Sequence, residues 1–209
     1  MARSIFDEVD AERYQTSATR HKYYRAMEHI FGGRAVVSLF TSFSYDVELA
    51  HEDCDSLLNV LHQTDLRKGL VMVVNSPGGD ILAAERIVNI CRSYSGTGDY
   101  WALVPGRAKS AATIICLGAS KIIMSPSSEL GPVDPQVVFL EDGIRKSYSA
   151  VSLVQGYREL FNRAVGTSGS LEPYIQQLAR YDDRDINQYE TWIALAESVA
   201  IKVLSSGMM

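Results

Sequence analysis

The continuous apolar stretch GLVMVVN, at residues 69–75, restricts the possible folds of this chain more than any other feature of the sequence. It has the length of one β-strand, and it lacks the alternation of apolar and polar residues that is typical of a strand with one solvent-exposed face. Strands of this kind are covered on both faces, as in parallel sheets with helices packed on either side. The chain is therefore predicted to be an α/β protein.

The segments around this strand alternate between strand and helix. Apolar runs predict strands at residues 34–41, 100–105 and 121–124, and helical spacing predicts helices at 20–31, 46–63, 80–93 and 110–119. Such alternation through short turns builds βαβ units and a mostly parallel sheet. The rest of the chain predicts a hairpin tip or exposed loop at 141–148 and a helical C-terminal part, with helices at 149–165, 171–181 and 185–205.

Length and composition favour one globular domain. The chain has 209 residues, of which 46% are hydrophobic and 22% charged, and this is enough for one sizeable core. Residues 1–20 are polar and predict an N-terminal arm or a frayed helix, which leaves residues 21–209 as a single domain.

Charge and cysteine content argue against several classes of protein. A formal net charge of −5 provides no global field for nucleic acid or anionic lipid. No secretory signal and no transmembrane stretch are predicted, so we expect a cytoplasmic protein. The three cysteines lack metal-binding spacing, and the apolar surroundings of Cys91 and Cys116 predict buried thiols in a reducing compartment.

A glycine-rich turn, NSPGGD at residues 75–80, follows the apolar strand. Glycines just before a helix leave backbone N–H groups unhindered, and such groups at a helix N-terminus stabilise an anion. The anion is either a phosphate or the oxyanion of a tetrahedral intermediate. A plain turn explains the same residues, and Asp80 is interpreted as a carboxylate at the helix start rather than a catalytic acid.

A second turn, GRAKSAAT at residues 106–113, surrounds Ser110 with small residues between a strand and a helix. It has the physical logic of a nucleophile elbow, in which the hydroxyl is exposed and the N–H of Ala111 lies beside it. The alternative is that Ser110 only caps the helix. Because both turns leave the carboxyl ends of neighbouring strands, we expect them side by side, one supplying a nucleophile and the other an oxyanion donor.

Three stretches of sequence carry a family resemblance: VNSPGGD, the small-residue turn GxxxSAAT, and GASKIIMSPSSELGPVDPQ at 118–136. The first two resemble Clp proteases and signal peptide peptidase A. The third is similar to serine dehydrogenase proteinases, whose members typically carry IIMxPxxxLGPVDPQ. The resemblance runs from about residue 34 to 165 and implies a crotonase-like spiral α/β fold and peptide-bond hydrolysis without a metal or organic cofactor.

The resemblance also implies roles for individual residues. Ser110 matches the nucleophile position, and the N–H groups of Gly79 and Ala111 match the oxyanion hole. Peptide or protein substrates and a homo-oligomer are expected from the same resemblance. Many relatives carry a membrane segment, and none is predicted in this chain.

The serine needs a base to become a good nucleophile. A Clp-type triad runs Ser, His, Asp along the chain, but all four histidines here precede Ser110, so that order is impossible. We predict a Ser–Lys dyad like that of signal peptide peptidases, in which a partly buried lysine loses its proton near neutral pH. Lys146, downstream of Ser110, is our candidate; other alignments put Arg158 there, and arginine stays protonated.

The other charged residues have simpler interpretations. Lys121 is expected to point away on its strand, Lys202 to be solvated on the last helix, and the side chain of Lys109 to project away from the nucleophile. Arg107 and Lys109 form a basic rim, interpreted as solvated charge or as an attraction for substrate carboxylates. Asp134, between two prolines, is expected to hold a rigid loop rather than orient a base.

The sequence thus predicts a cytoplasmic serine endopeptidase with Ser110 as nucleophile and Lys146 as base. A non-catalytic scaffold or binding subunit of the same fold is an alternative, because no histidine follows Ser110. A crotonase-type enzyme that processes acyl-CoA is a second alternative, since it uses the same paired N–H groups to hold a thioester enolate. An enzyme of that type would not need Ser110.

Overall fold

Parallel strands and covering helices make up most of the computed structural model, which describes residues 17–45 and 47–206. In chain order the elements are α1 (Ser17–Ile30), β1 (Ala35–Phe40), α2 (His51–His62), β2 (Leu70–Asn75), α3 (Ile81–Tyr94), β3 (Tyr100–Val104), β4 (Arg107–Ala108), α4 (Ala111–Leu117), β5 (Lys121–Met124), β6 (Glu129–Leu130), β7 (Gln136–Glu141), β8 (Ile144–Ser149), α5 (Ala150–Val165), α6 (Glu172–Leu178) and α7 (Asp183–Ser206).

The central sheet has four strands in the order β1-β2-β3-β5, all parallel. Two short strands, β4 and β6, pair in parallel beside it, and β7 and β8 form a separate antiparallel hairpin. Together with the three C-terminal helices, this is the α/β fold with a mostly parallel sheet and a helical C-terminal part that the sequence predicted.

Strand β2 is buried on both faces, which explains its unbroken apolar sequence. Leu70, Met72 and Val74 belong to the main core with helices α2, α3 and α4, and all three have no exposed surface. Val71 and Val73 face the other way, into a smaller cluster that helix α1 covers. The prediction of a strand covered on both faces is confirmed.

The C-terminal helices bury a second cluster and close the main core. Ala150 and Val154 of α5 pack with Ile186 of α7. Farther along α7, Val199 and Val203 join the main core. Among the helices in the described part of the chain, none is both long enough and apolar enough to cross a bilayer.

Helix α2 begins later than predicted. It starts at His51 rather than at residue 46, because Leu49 forms a parallel bridge with Gly79 and Ala50 is extended, with φ −133° and ψ 172°. Leu49 therefore pairs with the glycine-rich turn, and the helix begins only after Ala50.

Two other segments differ in detail from what the sequence predicted. The predicted hairpin tip or loop at 141–148 belongs to a full hairpin of two six-residue strands, β7 and β8. Most side chains on both strands are solvent-exposed, so their sequence lacks the apolar alternation by which a half-buried strand is recognised. Helix α1 begins at Ser17, within the predicted N-terminal arm, and residues 1–16 lie outside the described part of the chain.

Candidate active site

The two predicted turns meet at the carboxyl edge of the sheet. Ser76 and Ala108 form a parallel bridge, in which the N–H of Ser76 donates to the carbonyl of Arg107 at 3.0 Å. The N–H of Lys109 donates back to the carbonyl of Ser76, also at 3.0 Å. These bonds join the glycine-rich turn after β2 to the serine turn after β3, as the sequence predicted.

Ser110 has a backbone conformation that serine rarely adopts. It lies between β4 and α4 with φ 49° and ψ −125°, outside the main allowed regions for residues with a β-carbon. Its side chain makes no capping hydrogen bond to the helix, so the interpretation of Ser110 as a simple helix cap is wrong. A strained strand-to-helix turn whose serine hydroxyl does not cap the helix has the geometry of a nucleophile elbow.

The N–H groups of Gly79 and Ala111 donate no hydrogen bond within the described residues. Ala111 has no exposed surface, and an unpaired donor inside a protein is costly unless a ligand satisfies it. Gly79 must be glycine, because its φ is +147° and an added β-carbon would lie 2.4 Å from both the N and O of Leu49. Both groups have the character of donors kept for a bound atom.

Asp80 starts helix α3. Its Oδ1 accepts the N–H of Leu82 at 2.7 Å and the N–H of Ala83 at 3.0 Å. Its other oxygen, Oδ2, lies 3.7 Å from Nε2 of His51. The expectation that Asp80 is a carboxylate at a helix N-terminus is confirmed.

A cavity of about 570 Å³ opens beside Ser110 and the two glycines. One wall comes from the loop after β1, with Phe43 and Val47, and another from helix α7, with Trp192 and Leu195. This volume suits a medium-sized ligand or a few residues of a peptide. These four side chains make both walls largely apolar.

Lys146 does not line this cavity. It lies on β8 opposite Phe139, is solvent-exposed, and its Nζ donates to Oε2 of Glu141 at 2.5 Å. The hydrogen bond and the charge of Glu141 raise the pKa of Lys146 above its usual value. In this conformation the lysine is a protonated partner of Glu141, and it differs from the partly buried base that the sequence predicted.

The other cations near the predicted site are also engaged. Lys109 pairs with Glu129 at 2.7 Å, and Lys202 pairs with Glu85 at 2.5 Å. Lys121 lies over the ring of Trp101, 4.6 Å from its centroid. Lys109 and Lys121 thus have partners other than Ser110, in line with the expectation that they project elsewhere, and the Lys202 side chain is solvent-exposed, as expected.

The arginines follow the same pattern. Arg158 donates to Glu190 at 2.6 Å. Arg107, from the predicted basic rim, stacks on Phe43 with 4.1 Å between the guanidinium carbon and the ring centroid. Because Phe43 lines the cavity, this contact holds a cavity wall against the serine turn.

Asp134 lines the cavity together with Ser110. Its Oδ2 accepts the side-chain amide of Gln136 at 3.2 Å, whereas Oδ1 is buried and has no hydrogen-bond partner in the described part of the chain. Among the described residues, the carboxylates of Glu48, Asp80 and Asp134 line the cavity. Across the described residues, no group of three or more His, Cys, Asp or Glu side chains is arranged to hold a metal ion.

Several residues of the site were not predicted from the sequence. Ser76 and Thr113 are buried and hydrogen-bond the two turns, and Trp192 reaches the cavity from the last helix. The only signal for the first two was their position inside the motifs NSPGGD and SAAT. Nothing in the local sequence around Trp192 points to the cavity.

Comparison with known proteins finds similar sequences in proteins whose activity is unassigned. One uncharacterized protein of Methanocaldococcus jannaschii is 35% identical over 86 residues, which is 41% of this chain and 29% of the relative. A second from the same organism is 28% identical over 106 residues, 51% of this chain and 33% of the relative. The chain thus matches about a third of the length of these relatives.

Among solved structures, a mutant of the membrane-bound stomatin-specific protease 1510-N is 18% identical, with a TM-score of 0.37 over 66% of this chain and 67% of that chain. The family described as ClpP-like SDH-type serine proteinase matches residues 35–157, a span that contains both turns and the hairpin. Since this match covers more than half of the sequence, the chain belongs to the family of ClpP-like SDH-type serine proteinases.

Proposed function

We propose that this protein hydrolyses peptide bonds through an acyl-enzyme formed on Ser110. One observation carries the proposal: Ser110, whose Oγ has no hydrogen-bond partner among the described residues, lines a cavity together with Gly79, and the N–H groups of Gly79 and of the adjacent Ala111 donate to no described residue. Such an arrangement suits attack on a carbonyl whose oxygen becomes an anion. Membership of a serine proteinase family supports the same chemistry.

In the proposed reaction Ser110 Oγ attacks the carbonyl carbon, and its proton passes to the neutral Nζ of Lys146. The N–H groups of Gly79 and Ala111 bind the resulting oxyanion. Collapse of the tetrahedral intermediate breaks the C–N bond, and the leaving amine takes the proton from Lys146. Water then hydrolyses the ester by the same sequence of steps and restores the hydroxyl.

Lys146 must change its surroundings to act as this base. Its strand partner Phe139 lies three residues beyond Gln136, which lines the cavity. At roughly 3.3 Å per residue, the lysine backbone is about 10 Å along the hairpin from that point. The proposal therefore needs either a hairpin that bends towards Ser110 or a second copy of the chain whose hairpin supplies the lysine.

A homo-oligomer in the cytoplasm is part of the proposal. Leu140 and Ile144 at the hairpin tip are 75% and 62% exposed, and apolar groups of this kind favour contact with another chain. The three free thiols suit a reducing compartment. Light scattering after gel filtration of the wild type and of Leu140→Asp measures whether the hairpin holds copies together.

A non-catalytic peptide-binding subunit is the second candidate function. It is favoured by one observation, that no lysine or histidine of the described chain lines the cavity. Such a protein would bind peptides beside Ser110 without forming an acyl-enzyme. A probe that bonds covalently to activated serines separates this candidate from the peptidase.

The deciding experiment is labelling by a fluorophosphonate probe, followed by mass spectrometry of the modified peptide. We expect the wild type to be labelled at Ser110 and Ser110→Ala to remain unlabelled. Lys146→Ala should react roughly 10²- to 10⁴-fold more slowly, the usual contribution of a general base. Lys202→Ala is the matched control, because it removes a lysine from an ion pair of the same 2.5 Å length.

The wild type is tested at low protein concentration and again at a high concentration that favours oligomers. If the folded protein forms no adduct under either condition, the peptidase proposal is overturned and the binding subunit is favoured. Equal labelling of wild type and Lys146→Ala would leave Ser110 as nucleophile and remove Lys146 as its base.

A further inference from the structure

Three polar side chains are buried within the described chain: Ser76 with no exposed surface, and Ser95 and Thr113 with 5% each. Ser95 bonds to Thr97 beyond the end of helix α3, near the start of β3. The other two lie within four residues of the proposed oxyanion donors, one in each turn. Buried hydroxyls need hydrogen bonds, so the partners of Ser76 and Thr113 reveal what these side chains hold.

Ser76 ties together three segments. Its Oγ accepts the N–H of Gly78 at 3.0 Å and pairs with Oγ1 of Thr41 at 2.6 Å. Its backbone bonds to Arg107 and Lys109 in the strand that leads to the nucleophile. One residue thus connects the end of β1, the glycine turn and the serine turn.

Thr113 makes a similar connection on the other side. Its Oγ1 donates to the carbonyl of Ala108 at 2.8 Å and accepts the N–H of Gly131 at 2.9 Å. The next residue, Pro132, accepts the N–H of Ser110 through its carbonyl at 2.9 Å. The same N–H of Gly131 also donates to the carbonyl of Ala108 at 3.1 Å, so the threonine hydroxyl and this carbonyl together hold the loop that binds the backbone of the nucleophile.

Ser110 needs such support. Its φ of 49° and ψ of −125° lie in a sparsely populated region, and conformations of this kind persist only where surrounding contacts over-determine them. Gly78, whose N–H is held by Ser76, lies so close to Ser110 that a β-carbon added to it would be 2.7 Å from the Cβ of Ser110. The two buried hydroxyls act on opposite sides of the same strained turn.

We infer that Ser76 and Thr113 are positioning residues, which hold the oxyanion donors and the nucleophile in register. The inference rests on the proposed acyl-enzyme chemistry, but its physical content is independent of it: each hydroxyl fixes the backbone of one turn. Neither hydroxyl contacts the reacting atoms. Loss of either should lower the rate of bond formation at Ser110 and leave recognition of the probe unchanged.

Thr113→Val tests the first residue, because valine keeps the shape of threonine and removes the hydroxyl. We expect its maximal rate of fluorophosphonate modification to fall roughly ten- to a hundredfold, since small misplacements of reacting groups have effects of this size. The concentration for half-maximal rate should stay constant. Thr113→Ser keeps the hydroxyl and should recover most of the rate, which a purely structural effect of the lost methyl group would not predict.

Ser76→Ala is the second variant, and Ser95→Ala is its matched control. Both delete a buried serine hydroxyl, but the bond of Ser95 to Thr97 is remote from the turns. Ser95→Ala should lower thermal stability comparably and leave the modification rate unchanged. Ser76→Ala should lower that rate roughly tenfold or more, as loss of an oriented donor does. Because the two positioning variants are independent, poor folding of one leaves the other as the test.

Amide hydrogen exchange provides a readout without activity. Ser76→Ala should speed exchange in the peptide that contains Gly78, and Thr113→Val should speed exchange in the peptide that contains Ser110. If both folded variants exchange and react like Ser95→Ala, the inference is overturned. If wild type forms no adduct but the variants loosen these peptides as expected, the proposed function fails while the role of the two hydroxyls stands.

Discussion

Ser110 occupies the space that a side chain at position Gly78 would need. A β-carbon added to Gly78 would lie 2.7 Å from the Cβ of Ser110 and 2.7 Å from the carbonyl oxygen of Lys109. Contacts of that length do not occur between real side chains and backbone, so one of the two turns would have to move. The absence of a side chain at Gly78 is what lets the glycine turn and the nucleophile turn come together.

Gly78→Ala should therefore damage both stability and reactivity. Gly78 has φ +109°, and the contacts of its added β-carbon bring a cost of overpacking in addition to backbone strain. We expect a loss of about 3 kcal/mol in the free energy of unfolding and no detectable labelling of Ser110. Urea unfolding and fluorophosphonate labelling measure the two effects.

Gly98→Ala is the control for that substitution. Gly98 has φ +72°, but an added β-carbon there would meet nothing within 4 Å. We expect a loss of about 1 kcal/mol from backbone strain alone and unchanged labelling. Equal effects of the two substitutions would show that the contact with Ser110 is unimportant.

The strain at Ser110 predicts an unusual order of stability among its variants. Glycine adopts φ 49° without the penalty of a β-carbon, whereas alanine retains it. Strain of this kind costs about 1–3 kcal/mol, more than the entropy that glycine loses on folding. Ser110→Gly should thus be more stable than Ser110→Ala by about 1 kcal/mol in urea unfolding, with both variants unlabelled. A more stable alanine variant would contradict a strained turn.

The parts of the site that sequence predicts are those in which a local pattern has one physical cause. Residues 70–74 are all apolar and have no polar side chain to face water, so they are predicted to form a strand covered on both sides. Gly79 precedes a helix that Asp80 caps, and Ser110 lies between a strand and a small-residue helix. Parallel strands then bring both turns to one edge of the sheet.

The remaining parts depend on contacts between distant segments. Ser76 is buried because Thr41 and the serine turn close over it, and Thr113 is buried because the loop with Gly131 folds back. A sequence pattern does not distinguish these hydroxyls from the solvated ones of ordinary turns. Likewise, pairing with β7 fixes Lys146 opposite Phe139 and within reach of Glu141, a register that an isolated polar segment does not specify.

The three cysteines should be inert in the native protein. Cys54, Cys91 and Cys116 have no exposed surface, and burial raises the pKa of each thiol, that of Cys116 to about 12. At pH 8 a thiol with that pKa is ionised in roughly one molecule in 10⁴, and the thiolate is the reactive form. We expect no fast reaction with Ellman's reagent until urea exposes three thiols. Fast native reaction of any cysteine would contradict this core, and native protein incubated with the reagent should still be labelled at Ser110.

The pH dependence of labelling tests whether Lys146 is the base. Glu141 raises the pKa of Lys146, so the neutral amine appears only as the pH rises through that raised value, and the labelling rate should increase into the alkaline range. Glu141→Gln removes the cause of the raised pKa and should shift the profile to lower pH, with faster labelling at pH 8. The corresponding control is Glu85→Gln, which releases Lys202 from a similar ion pair and should leave the profile unchanged. Superimposable profiles for wild type and Glu141→Gln, each with Ser110 still labelled, would show that the proton of Ser110 goes to a different group.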